Sequence, residues 1–238
     1  MPNLVGIGNS QVPTNAMLGG LAYKDSIGNI DIEKIKAKVS DNVSSVSNGK
    51  SIFVYDTRKD SDGGAWRKRT SHTSWYNEPP SATRGARKEF PSIAVFVFDN
   101  SGTNKVTIYD GDDPNLSMWM VFNGVYSGST YPALINILFA GYGGLAALNG
   151  VIVGGRSFVS LIDDNLGGYW FSDGFYENAI GGGIVNRNVN YDHRKISSNA
   201  IGNSTVYDVA LTVLPDAPID TGTGLPTPTI AFGTAGGF

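Results

Sequence analysis

Short β-rich runs broken by asparagine and glycine limit what this chain can fold into. Leu145–Leu148 and Val151–Gly155 flank Asn149-Gly150. A two-residue Asn-Gly link between apolar runs is the strongest short hairpin signal, because both central residues of a type I′ turn need positive φ. Phe158–Ile162 follows as a third run, giving a meander. Ser92–Asp99 (SIAVFVFD) and Lys105–Asp110 (KVTIYD) bracket the loop NSGTN and predict a second hairpin. Ser117–Phe122 is a further short apolar run, and Tyr207–Leu214 pairs in prospect with Thr229–Thr234 across the proline-rich PDAPIDTGTGLPTP. With 31 glycines, 11 prolines and 41% hydrophobic residues, the chain suits many strands joined by tight turns rather than disorder. The expected fold class is all-β, built of antiparallel hairpins and meanders.

The organisation reads as three stretches. Residues 1–28 are polar, glycine-punctuated and aperiodic, which predicts an extended N-terminal arm lying on a neighbour. Residues 29–50 are expected to hold a short helix and linker, with an alternating strand carrying a bulge as the competing reading of Asn29–Val39. Over Asn29–Val39, Asp31 and Glu33 precede Lys34, Lys36 and Lys38, which suits the helix dipole, and Ile32, Ile35 and Val39 share one face. Residues 51–238 form the β-rich domain. The N-terminus lacks the basic flank and apolar core of a secretory signal. The apolar stretch Ala133–Ala147 is broken by Gly141, Gly143 and Gly144 and falls short of the roughly 20 residues a bilayer span needs. No membrane partner is expected.

The stretch Ser51–Glu78 (SIFVYDTRKDSDGGAWRKRTSHTSWYNE) is unlike the rest. Two tryptophans are interleaved with Arg67, Lys68 and Arg69. The wider cluster of Arg58, Lys59, Arg84, Arg87 and Lys88 is interspersed with fewer acids, Asp60, Asp62 and Glu78 among them. Its composition predicts a long exposed loop with an aromatic and cationic surface. Trp66, Arg67, Arg69, Trp75 and Tyr76 are the candidate partner-binding residues, since Trp and Arg are enriched among interface anchors. The competing reading makes these aromatics core residues and the charges a solvated face. A formal charge of −3 gives no global attraction to nucleic acid, and no recognised binding module accompanies the basic cluster, so no specific nucleic acid is expected.

Chemistry-bearing patterns are sparse. With no cysteine, disulfides and thiolate metal sites are excluded. His72 and His193 are the two histidines, and neither has a nucleophile-elbow context for a catalytic triad. Asp60-Ser61-Asp62-Gly63-Gly64 and Asp110-Gly111-Asp112-Asp113 place carboxylates on tight turns. Neither has EF-hand spacing, so solvated acids are expected there rather than calcium ligands. Asp163-Asp164-Asn165 is weaker still. No two carboxylates are paired by sequence as a glycosidase requires. Gly6-Ile-Gly8 and Gly181-Gly182-Gly183 lack the flanking residues of phosphate loops. No catalytic residue, cofactor or metal is predicted.

Three segments carry a resemblance. Asp56-Thr57, Lys59–Arg69 and Ser74–Glu78 resemble a block in tail-associated virion proteins of marine bacteriophages. Val5–Tyr23 (VGIGNSQVPTNAMLGGLAY) resembles the start of tail and fibre proteins from the same viruses, and Val206–Gly237 resembles a β-propeller blade found there. The resemblance implies a virion location and a non-enzymatic structural component, tail-associated, that assembles with other virion proteins and as a homo-oligomer. The alternative is a receptor- or glycan-binding tail adhesin contacting a host surface glycan. Behind it stands a glycan-degrading tail enzyme. The fold it implies is β-propeller-like. One or two blades cannot close a ring, and no strict repeat is visible, so a sandwich, or sheets completed by a partner, is the competing expectation. In that family the sequence after the final Gly-Gly continues into more blades, so the chain is expected to be either a short version or the N-terminal part of a longer protein.

Overall fold

The computed structural model describes residues 50–99, 105–123, 144–164, 167–171, 173–178, 183–188, 193–198, 200–203 and 205–236. The expected arm of residues 1–28 and the expected helix Asn29–Val39 lie outside the described residues. What is described is all-β: antiparallel strands with a few single-turn 3-10 helices.

Strands β1 (Lys50–Asp56), β2 (Ile93–Asp99), β3 (Lys105–Asp110) and β4 (Met118–Asn123) form a four-stranded antiparallel sheet in chain order. The expected hairpin of β2 with β3 is present, in the register Phe96↔Ile108 and Phe98↔Val106. β2 is a central strand covered on both faces, and its alternation decides which side chain serves which core. Ala94 and Phe96 enter the main cluster, while Val95 and Val97 join Leu116 in a second, smaller one. A period of two makes this division unavoidable for an apolar strand covered on both sides.

The second sheet has six strands in the order β10-β9-β8-β7-β6-β5. They are β5 (Leu145–Leu148), β6 (Val151–Gly154), β7 (Ser157–Ser160), β8 (Gly167–Phe171), β9 (Gly174–Asn178) and β10 (His193–Ser197). The expected meander of β5 to β7 is present, and three further strands extend it. β8 to β10 are short and lack the alternation that marks a strand, and β8 and β9 each open on glycine. Ala147, Ile152 and Val159 lie on one face and share the main core with Tyr55, Phe96 and Ile108 of the first sheet. The opposite face carries Phe158, Trp170 and Phe175, whose rings are in mutual contact. Phe232 of the ribbon β11 (Val206–Thr212) and β12 (Thr229–Thr234) packs on Trp170, with centroids 5.2 Å apart. No sheet closes on itself among the described residues.

Two close approaches hold the sheets in place. The β5–β6 turn has φ of 53° at Asn149 and 74° at Gly150, the left-handed pair a type I′ turn demands. Its carboxamide oxygen accepts from Ser61 N at 2.9 Å, and its Nδ2 donates to Ser61 Oγ and Pro226 O at 3.0 and 2.9 Å. Elsewhere, residues 83–85 lie along the outer edge of β4: Gly85 N donates to Trp119 O and Val121 N to Thr83 O, both at 2.9 Å. A side chain at position 85 would start 2.0 Å from Met118 O, so only glycine permits this contact. Arg187 Nε and Asn188 Nδ2 donate to Val121 O beside it, so the β4 edge is covered from within the chain.

Asn149→Ala removes three side-chain hydrogen bonds and forces a less tolerant residue into positive φ, and should cost about 2–4 kcal/mol in denaturant unfolding. Asn149→Gly keeps the backbone and loses only the bonds. If that variant matches the wild type, the carboxamide contributes nothing.

Candidate interaction surface

The segment between β1 and β2 is folded tightly against both sheets, which corrects the expectation of a long exposed loop. After Asp56 the chain makes a 3-10 turn over Thr57–Lys59 and a second over Ala65–Arg69. The second opens at Gly64, φ 80°, where a Cβ would lie 2.7 Å from Thr57 Oγ1. The turn points Trp66 inward and Lys68 and Arg69 outward. Trp66 and Trp75 are both fully buried. Their indole N–H groups explain how a polar, charged sequence supports burial: Trp66 Nε1 donates to Asp60 Oδ2 at 2.7 Å and Trp75 Nε1 to Leu161 O at 2.9 Å. Trp66 packs on Phe90 with the rings tilted by 35°, and Trp119 stands edge-on to both Trp75 and Phe90. Within the chain the two tryptophans are core residues.

Asp60 is likewise no solvated acid. Its Oδ2 also accepts from Tyr55 Oη at 2.6 Å, and its Oδ1 accepts from Asn149 N at 2.9 Å. Tyr55 Oη in turn accepts from Gly150 N at 3.0 Å. Burial pushes the Asp60 carboxyl above its usual 3.8 against these bonds, and burial beside Asp60 raises the Tyr55 phenol. Asp110 is buried too, held by Arg87 Nη1 at 2.7 Å. Asp112 accepts from Ser92 N at 2.7 Å, from Ser92 Oγ, from Ile93 N at 3.2 Å and from Arg87 Nη1 at 2.9 Å. Asp164 accepts from Ser74 N and Ile184 N. No group of histidine and carboxylate side chains fit for a metal occurs among the described residues.

The remaining expected contact residues divide. Arg67 is largely buried, its Nη1 donating to Glu89 Oε1 and Phe90 O, both at 2.9 Å. Tyr76 is half-buried against Trp75, with Lys88 Nζ 5.7 Å above its ring. Arg69 is exposed and pairs with Asp62 at 3.0 Å. Two arginines that the sequence reading did not single out as anchors are buried more deeply than any of these. Arg187 makes a two-pronged pair with Glu78, at 2.7 and 3.0 Å, and donates to Val121 O and Thr83 O. Arg84 lies over Trp119, 4.6 Å from its ring, and donates to the carbonyls of Trp75, Gly85, Trp119 and Lys88. Burial lowers the Arg84 pKa to about 10, which leaves it charged at neutral pH. The only sequence signal for Arg84 was its place in the basic cluster; Arg187 had none.

His72 is exposed, its ring nitrogens on Arg69 O and Ile162 O, as expected for a surface histidine. His193 sits on β10. The outward cations left without a carboxylate in ion-pair range among the described residues include Lys59 and Lys68. No helix among the described residues is long and apolar enough to cross a membrane. Comparison with family models, with curated proteins and with solved structures finds no match.

Trp66→Ala and Trp75→Ala should each destabilise the isolated chain by about 3–5 kcal/mol, the range for emptying a buried aromatic site. Lys68→Ala should stay within about 0.5 kcal/mol. Unchanged thermal unfolding of both tryptophan variants would contradict their place in the core.

Acid unfolding should depend on Asp112. Burial pushes its carboxyl up, but the Ser92 hydroxyl and amide together with Arg87 outweigh burial and hold it below 3.8. A folded pKa below the unfolded one contributes stability in full above about pH 4, lost as pH falls through the folded value. Asp60 and Asp110, raised by burial, act with the opposite sign. Asp112→Asn should therefore lower stability at neutral pH and narrow the gap to wild type as the solution is acidified. A gap that is constant from neutral pH to about pH 3 would contradict this.

Proposed function

We propose that the chain is a structural, non-enzymatic component of a bacteriophage virion, tail-associated, that assembles with other virion proteins. The observation that carries this reading is that three of the five exposed large apolar side chains among the described residues lie along one ribbon at the side of a tightly cross-linked body; the other two are Val185 and Ile196. Tyr207, Leu214 and Ile219, all on or beside the β11–β12 ribbon, are exposed by 63%, 52% and 60%. A two-stranded ribbon is marginal alone, and exposed apolar side chains gathered on one feature mark a contact surface. The resemblance of Val206–Gly237 to a propeller blade in phage tail proteins falls on this same ribbon. That of Lys59–Arg69 falls on the segment that braces the body.

The adhesin reading has its own support in the half-buried rings of Phe158, Trp170, Phe175 and Phe232, since aromatic faces can stack on sugars. One experiment separates the readings. Deleting residues 1–20 should leave the β-rich body folded, by circular dichroism and thermal unfolding, and abolish recovery of the chain in purified particles. Normal incorporation would overturn the assembly role of the arm. Capture of the intact chain on a glycan array, lost on substituting Trp170 or Phe175, would favour the adhesin instead.

A further inference from the structure

We propose that the β11–β12 ribbon and its connecting loop dock a second copy of this chain, ribbon to basic segment. The proposal rests on the assembly reading above and gives it a partner. Residues 205–236 carry Asp208, Asp216 and Asp220 and neither lysine nor arginine. Asp216 and Asp220 are exposed, and among the described residues neither has a cation in ion-pair range. Asp216 lines a groove of about 380 Å³ together with Leu214, Pro215, Pro218 and Pro228, and Ile219 and Asp220 are exposed next to it along the chain. This surface is apolar, stiffened by proline and of one sign of charge.

The opposite charge lies on the same chain, next to it. Arg58, Arg67, Arg69 and Arg87 are each committed to a carboxylate of their own chain. Lys59 and Lys68, on the two 3-10 turns, are exposed and have no carboxylate in ion-pair range among the described residues, Lys59 acting on Asp56 only from a distance. The ribbon loop passes beside these turns: Arg69 Nη2 donates to Thr223 O at 3.4 Å, and Asn149 links Ser61 to Pro226. Neighbouring patches of opposite charge suit a reciprocal contact, in which each copy's acidic ribbon meets the other's lysines about a two-fold axis. A net charge of −3 leaves little overall repulsion between copies. Charges at the rim set orientation and partner choice, while the apolar groove supplies the buried area.

The test is sedimentation of the full chain over a range of concentration and salt. A two-copy species is expected at low salt and should be lost at high salt, where exposed charges are screened. Asp216→Lys with Asp220→Lys should abolish it, as should Lys59→Glu with Lys68→Glu. All four residues are exposed, and an unchanged near-ultraviolet spectrum confirms folding. The decisive step is mixing. Each charge-reversed protein should be a single copy alone, and the two together should form a one-to-one pair. A single copy under every condition, association indifferent to either double variant, or no recovery on mixing would each overturn the proposal. Because pure protein is used, it can fail while the chain is still found in particles, and the reverse.

Discussion

Three donors converge on one carboxylate, and the arrangement of the two large sheets depends on it. Asp60 receives the phenol at the end of β1, the indole of the second 3-10 turn and the backbone amide at the β5–β6 turn. An unpaired carboxylate in this position would carry a large desolvation cost, so the site exists only when all three arrive together. It joins parts of the chain that share no strand pairing. Asn149 extends the junction by bonding Ser61 on one side and Pro226 on the other.

The same logic governs the arginines. A basic cluster on an acidic chain suggests a surface waiting for an anion, yet each of its guanidiniums is bonded to carbonyls or carboxylates of the same chain, Arg67 and Arg84 inward and Arg58 and Arg69 at the surface. Arg84 satisfies its donors on four backbone carbonyls, and Arg187 divides its donors between Glu78 and three more. Planar, multi-donor guanidinium suits a buried junction where several loops end, whereas lysine, a compact and strongly hydrated charge, stays outside. The division of labour between Arg and Lys in this segment follows from that difference. It leaves Lys59 and Lys68 at the surface with no carboxylate in ion-pair range among the described residues.

The hairpins were legible in the sequence wherever local chemistry decided the outcome. Asn149-Gly150 marked its turn because backbone conformation alone requires those residues, and SIAVFVFD and KVTIYD marked β2 and β3 because apolar β-formers bracket a glycine loop. β8 to β10 were not legible, since GGYWF and GFYEN owe their pairing to neighbours rather than to their own pattern. The two tryptophans misled for a related reason. Charges adjacent in sequence suggested exposure, but a 3-10 turn separates neighbouring side chains onto different faces, so Trp66 and Lys68 share a sequence context and not an environment. Tyr55 and Asp60 lie five residues apart, but nothing local says that Asn149 will join them.

That separation has a kinetic meaning. Asp60 and Asn149 are 89 positions apart, whereas β2, β3 and β4 pair with their immediate neighbours in the chain. Closing a long loop costs entropy before any contact repays it, so the local meanders can assemble while the carboxylate still faces water. The junction is then among the last contacts to form. Weakening it would leave the refolding rate nearly untouched and show itself as faster opening of the native state. The buried carboxylate thus acts as a latch on the finished fold.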